Sequence, residues 1–255
     1  MCEVIVNSDD FGLSENITRA TLYAIEHGLC SSTTAIVTGE AFEMGCELFR
    51  QHRFPASLGI HLNLTEGCPV TDGMRFSRFA DANGCFTKKL RFVKKLEYQD
   101  EGLVATELRA QIERFRNKWG GNPSHIDGHH HVHVHSPIYP VVASLMRQFD
   151  ITRIRCRSNV WRGLRSWLSP NIVRFRLADR VQHRSFIAPQ FFCGGFEDYR
   201  RVRPYARTCE LMIHADFTNA RQLYDYVTHQ EIQRIDVTDR LITYNELTVE
   251  TLAKR

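Results

Sequence analysis

Apolar residues along the 255-residue chain come in short runs that alternate with amphipathic stretches. Glu3–Asn7 is short and apolar and predicts a first strand. Ser14 is an N-cap residue for a helical pattern running to about His27 and closed by Gly28. Thr33–Val37 predicts a second strand, Glu40–His52 a second helix and Ser57–Leu64 a third strand. Thr65–Gly84 is rich in turn residues and predicts a loop over a site. The helical signal is strongest at Leu103–Trp119, where Val104, Leu108, Ile112 and Phe115 share a face and Gly120-Gly121 ends the run. Ser124–His135 alternates in period two and predicts a strand. Beyond it come a helix from Pro137 to about Phe149, a short strand at Ile151–Arg155, a later strand at Cys209–Ala215 and helical segments towards Arg255.

Strands alternating with helices predict βαβ units and a parallel sheet. The expected architecture is a single α/β domain over residues 1–255. A distorted or incomplete TIM-like (β/α) barrel is preferred to an open doubly wound sheet, because the chemically interesting residues fall at the C-terminal ends of several predicted strands. Residues 157–208 are the least regular and predict an insertion beside the site.

Composition narrows the function classes. Hydrophobic residues make up 43% and charged residues 24%, an ordinary globular balance. No apolar run approaches the ~20 residues needed to span a bilayer. The N-terminal residues lack a basic segment followed by a long apolar one, which predicts a cytoplasmic protein. Eight scattered cysteines with no CxxC pair predict reduced thiols. The net charge is only +4, but Arg147–Arg207 holds 14 Arg, no Lys and four acids. That stretch is either a solvated basic face or a reader of an anionic partner. No nucleic-acid motif accompanies it, so the solvated face is preferred and nucleic acid is not an expected partner.

Four clusters carry candidate chemistry. Asp9 and Asp10 end the first strand within Asn7-Ser8-Asp9-Asp10-Phe11-Gly12. Neighbouring side chains on a strand point to opposite faces, so both reach one site only where the strand turns. One could bind a metal while the other acts as base. His61 lies inside an apolar strand with Asn63 on the same face. The segment His125–His135 holds six of the twelve histidines. Period-two spacing aligns His125, Asp127, His129, His131, His133 and His135 if the strand is regular, while Gly128 allows a bulge. Imidazole is a common ligand for divalent transition metals, and a carboxylate such as Asp127 can orient a ligating ring from behind. His214 ends the strand at Cys209–Ala215.

Together, Asn-Ser-Asp-Asp-Phe-Gly, Gly-Ile-His-Leu-Asn-Leu-Thr near residue 60 and Pro-Ser-His-Ile-Asp-Gly-His-His-His-Val-His near residue 125 resemble the YdjC-like carbohydrate deacetylases, which include the chito-oligosaccharide deacetylases. The resemblance runs from Glu3 to about Phe149 and resumes at Glu210–His214, where Ala215-Asp216 stands in place of the family's Pro-Gly. It implies a distorted (β/α) barrel, one divalent metal (Mg2+ or Zn2+) and hydrolysis of an N-acetyl group on an amino sugar. It further implies that Asp10, His61 and His125 are metal ligands and Asp9 the catalytic base. His214 would be the acid or transition-state stabiliser, with His129 an alternative proton donor. Asp127, His129, Phe11 and Asn63 would bind substrate or support the ligands. The expected partner is a small carbohydrate, with no membrane insertion; a homodimer stays open. The rival readings are a deformylase or phosphoesterase on the same metal frame, and a non-catalytic histidine-rich metal-binding protein.

Overall fold

The computed structural model describes residues 1–157, 160 and 185–248. Six parallel strands form its frame: β1 (Glu3–Phe11), β2 (Ser32–Ala35), β3 (Ser57–Leu62), β4 (Ile126–Gly128), β5 (Phe191–Cys193) and β6 (Thr208–Ile213). Their order across the sheet is β4-β3-β2-β1-β6-β5. The central strand, β1, is buried on both faces from Val4 to Phe11, as a parallel strand covered by helices must be.

The sheet curls. Asp127 on β4 and Glu210 on β6 are separated by three strands in that order, yet both bond the guanidinium of Arg155. Single parallel bridges, Ile126 to Ile154 and Arg153 to Ile187, extend the curl beyond β4. The chain is therefore an α/β fold with a mostly parallel sheet bent into a half-barrel.

The helices follow the apolar spacing. Ser14 caps α1 (Glu15–Glu26), its Oγ accepting the Ile17 N–H at 3.3 Å. The second helix, α2, is Phe42–His52, and α3 is the short turn Asp72–Arg75. The longest, α4 (Tyr98–Trp119), starts five residues before the expected Leu103, buries Val104, Leu108, Ile112 and Phe115, and ends at Gly120 with φ 89°. Helix α5 (Tyr139–Gln148) packs against α4, and α6 (Phe196–Val202) follows β5. Each fully buried aliphatic or aromatic side chain on these faces contributes about 1.5–3 kcal/mol.

Two expectations are corrected. The strand expected over Ser124–His135 ends at Gly128; the chain then turns through a 3-10 segment, His129–Val134, with His130 and His131 left-handed at φ 51° and 59°. A Cβ at position 128 would stand 3.0 Å from the Leu62 carbonyl oxygen, so Gly128 allows this close passage. The helices expected towards Arg255 are instead, among the described residues, an antiparallel ribbon of β7 (Ala215–Phe217), β8 (Leu223–Asp225) and β9 (Gln230–Glu231), then β10 (Arg240–Leu241) and a 3-10 turn at Tyr244–Glu246. Strand β10 pairs with the start of β1. Much of the irregular stretch expected at 157–208 lies outside the described residues, and its described end supplies β5 and α6.

Candidate active site

The two adjacent carboxylates reach one side of the sheet because β1 breaks its own alternation. Its pairing with β2 shifts register between Ser8 and Phe11, and Asp10 sits left-handed at φ 64°. Left-handed backbone costs an L-residue roughly 1–2 kcal/mol, least for Asp and Asn. Such bulges re-aim side chains beside active sites. Asp10 thereby turns towards His61 and His129, while Asp9 faces inward with Asn7.

Strand pairing then sets the first imidazole. His61 on β3 lies opposite Asp127 on β4, and its Nδ1 is 2.7 Å from Asp127 Oδ1. Thr34 donates to the other Asp127 oxygen at 3.0 Å. This leaves His61 Nε2 facing Asp10 Oδ1 at 3.2 Å. His129 comes from the turn after β4, with Nδ1 2.9 Å from the same Asp10 oxygen. Its Nε2 is 3.3 Å from Glu66 Oε2. Tyr226 donates its hydroxyl to Asp10 Oδ2.

Ligand atoms of Asp10, His61 and His129 all lie within 4.8 Å of one another, and all three residues are buried. One carboxylate and two imidazoles are a donor set for a divalent transition ion. Burial opposes charge on His61, but Asp127 and Asp10 outweigh it and hold its pKa well above the ordinary value. Burial likewise opposes charge on Asp10, yet the bonds from His129 and His61 hold its pKa well below the ordinary range. A cation between these groups would take the place of the Nε2 proton, so the residues fit the metal that the sequence implies. Glu66, His129 and His130 form an adjoining group that shares the His129 ring.

Asp9 does not join that cluster of ligands. Arg155, fully buried, grips it with Nη1 to Oδ2 at 2.7 Å and Nη2 to Oδ1 at 2.5 Å. Asn7 donates to Oδ1 at 2.9 Å. Burial would raise the Asp9 pKa, but Arg155 dominates and holds it below the ordinary range. The same guanidinium reaches Asp127 at 2.8 Å and Glu210 at 2.7 Å, and lies over the Phe192 ring. Among the described residues, three carboxylates thus meet on one guanidinium. Burial pushes Glu210 up to about 7, against the pull of Arg155.

The remaining expected residues divide. His214 follows β6 at the rim; its backbone N–H donates to Asp225 at 2.8 Å, and its Nδ1 lies 3.6 Å from the same oxygen. Burial opposes its charge, but Asp225 and then Asp9 raise its pKa. His125 is not brought to the site. It precedes β4, is wholly buried, stacks on Tyr244 at 3.5 Å and bonds Ser124 Oγ at 2.9 Å. The ring beside Asp10 and His61 is instead that of His129, four residues on, because the strand runs from its N-terminal to its C-terminal end between them. Phe11 is core, edge-on to Phe49. Asn63 pins the following loop through Thr38 Oγ1 at 2.9 Å and the Glu66 carbonyl at 2.6 Å.

Sequence reasoning passed over Arg155, Glu210, Glu66 and Tyr226. Glu210 had a signal, since a charge within an apolar strand must find a partner. Beside the site, Arg91, His130, His131, His135, Ser136 and Arg157 line a cavity of about 290 Å³.

Several known proteins are similar to this chain. Residues 3–251 match the family described as YdjC-like protein. The chain is 30% identical over 227 residues to a carbohydrate deacetylase of Halalkalibacterium halodurans, covering 88% of this chain and 90% of that protein. It is 32% identical over 189 residues to a mouse carbohydrate deacetylase, covering 73% and 60%. It is 37% identical over 149 residues to a chitooligosaccharide deacetylase of Salmonella paratyphi B, covering 58% and 57%. The matched region thus spans about three fifths of the mouse and Salmonella proteins. A crystal structure from Enterococcus faecalis V583, described as a candidate cellobiose-phosphate cleavage protein, superposes with a TM-score of 0.75 at 21% identity over 97% of this chain and 99% of that one, and so shares its fold. Because the family match runs from the first strand past the last described turn, the chain belongs to the YdjC-like protein family.

Proposed function

We propose that the protein is a metal-dependent carbohydrate deacetylase that removes an N-acetyl group from an amino sugar or short oligosaccharide. The observation that carries this reading is the facing of Asp10, His61 and His129 beside an Asp9 that Arg155 keeps ionised and oriented. The names of the relatives favour the same activity. Two imidazoles favour Zn2+ over Mg2+, which prefers oxygen ligands. When bound, the ion would polarise the acetyl carbonyl and lower the pKa of a water.

The chain's own groups supply the rest. Asp127 holds His61 by its Nδ1 proton and keeps Nε2 turned to the ligand position. Asp9 accepts the proton of the attacking water. His214, its charge favoured by Asp225, gives a proton to the departing amine nitrogen, a poor leaving group without it. The bridges beyond β4 support reading the half-barrel as a distorted (β/α) barrel in a single domain. No described helix is long and apolar enough to cross a membrane.

The cavity supports a second feature of the substrate. Its two arginines, three histidines and one serine, with no acid among the lining residues, favour an anionic substituent on the sugar. The test of the main reading is amine release from chito-oligosaccharides by metal-stripped protein before and after reloading with Zn2+ or Mg2+. Activity that returns with metal supports the proposal. Full activity without metal, or none under any loading on neutral and anionic acetamido sugars alike, overturns it.

A further inference from the structure

Six of the eight cysteines are buried, but Cys68 is exposed and Cys85 half-exposed. They are brought together by backbone as well as by side chain. The Phe86 N–H donates to the Gly67 carbonyl at 2.7 Å, setting the two ends of the loop side by side. At the Cys85 end, Asp81 N–H bonds the Cys85 carbonyl at 2.8 Å and Cys85 N–H bonds Asp81 Oδ1 at 3.0 Å. The two Sγ atoms are 2.6 Å apart.

The residues flanking this pair touch the site. Glu66, two positions before Cys68, has one oxygen 3.3 Å from His129 Nε2 and the other 2.7 Å from Lys88 Nζ. Lys88 is three positions after Cys85. Both partners of that ion pair are substantially exposed, at 56% and 42%, and exposed pairs contribute little. Gly67 is left-handed at φ 68°, and a Cβ placed there would meet nothing within 4 Å, so side-chain packing does not hold this corner. Asn63 anchors the near end of the strap through the Glu66 carbonyl. Beyond Cys68 the Val70 and Thr71 N–H groups bond the buried Glu107 carboxylate, both at 2.9 Å; between Glu66 and that anchor the Phe86 bond, the ion pair and the two sulfurs tie the strap to the Cys85 end.

We propose that Cys68 and Cys85 form a reversible disulfide site that clamps the strap carrying Glu66 against His129. A low-molecular-weight disulfide such as glutathione disulfide is the oxidant. The exposed Cys68 thiolate attacks one of its sulfurs and releases one glutathione thiolate. The Cys85 thiolate then attacks the Cys68 sulfur of the mixed disulfide and releases the second. Two thiols are oxidised, one disulfide is reduced, and two protons leave with the glutathione. Closure fixes Glu66 where it orients the imidazole from behind, so the clamped form holds a metal at His129 more tightly. This consequence rests on His129 belonging to the proposed metal centre; formation of the bond does not.

The experiment has two stages. Native protein is treated with glutathione disulfide and mapped with trypsin, which cuts at Arg75 and Arg78 inside the loop. Peptides carrying Cys68 and Cys85 should appear joined without reductant and separate with it; separate peptides in both maps overturn the proposal. Zn2+ affinity is then measured by chelator competition for the oxidised protein and for Cys68→Ser/Cys85→Ser, which has no thiols in the loop. The oxidised form should bind about tenfold more tightly, the low end for a partner behind a ligating imidazole. The difference should vanish when Glu66→Gln is added to both. Equal affinities overturn the clamp, and a difference that survives Glu66→Gln overturns the role given to Glu66. If neither form binds Zn2+ through His129, the clamp's consequence falls with the metal centre, while the peptide map still decides the disulfide.

Discussion

Replacing Glu210 by glutamine tests the charge balance around Arg155. Asp9, Asp127 and Glu210 converge on a single buried guanidinium, so one proton among them relieves the excess negative charge. Glu210 is its place, raised by burial from 4.5 to about 7. That difference corresponds to about 3 kcal/mol. A raised folded-state pKa means that the folded chain keeps a proton the unfolded chain releases. The contribution is complete below about pH 4.5 and is lost as pH rises through about 7. Glutamine is neutral at every pH, can accept from Arg155 through oxygen and can meet the Tyr244 hydroxyl through its amide. Wild type and Glu210→Gln should therefore have similar stability near pH 5. By about pH 8.5 the variant should be the more stable by up to about 3 kcal/mol. Urea denaturation of both proteins across this range, followed by tryptophan fluorescence, measures the difference. Other groups that titrate in the window, such as His61, act alike in both and cancel. A variant less stable than wild type by a constant 3–5 kcal/mol or so at every pH would show Glu210 ionised throughout, as one partner of a buried ion pair, and would refute the reasoning.

Three further outcomes separate roles within the site. His129→Ala should lose metal by elemental analysis, whereas His125→Ala should keep it and lose roughly 1–3 kcal/mol of stability through the space left beneath Gly59 and Tyr244; the reverse pattern would restore His125 as a ligand. Asp9→Asn should lower the deacetylation rate by about 10²–10⁴ with metal retained, while Asp10→Asn should weaken metal binding and recover partly in excess metal; rescue of Asp9→Asn alone would reverse the two roles. If the cavity lined by Arg91 and Arg157 takes an anionic substituent, turnover of a charged acetamido sugar should exceed that of a neutral one and fall with ionic strength; equal turnover at every salt concentration would return these arginines to the solvated surface.

The alternation of strands and helices was legible because β1, β3, α1 and α4 each carry a local signal: an apolar run, a cap, or a one-faced spacing ended by glycine. The histidine segment misled for a physical reason. His125 to His135 alternates in period two, and that is a strand pattern for as long as the backbone stays extended. Nothing in the spacing says where extension stops. Gly128, passing close to Leu62, and two left-handed histidines stop it. The alternation then carries no information about which rings face Asp10, and His125 and His129 cannot be ranked from sequence. The tail misled in another way, since its strands are two or three residues long, too short for a period to register.

Arg155 and Glu210 show how far composition can be pushed. Within the arginine-rich stretch, each guanidinium counts equally towards a basic face, and that count favours solvated surface. Burial breaks the equivalence. Arg155 follows Ile154, whose main chain bridges to β4, and its buried side chain enters the concave side of the curled sheet, where charge is tolerated only if paired. The acids able to pair with it are those that other strands deliver to the same depth: Asp9 from β1, Asp127 from β4 and Glu210 from β6. Sequence can identify each as a charge out of place in an apolar strand. It cannot say that the four are one set, because that follows from the curl, and the curl brings β4 and β6 together across three intervening strands. Arg155 therefore couples the frame to the chemistry: the same guanidinium that ties the two sides of the half-barrel holds Asp9 ionised at its end.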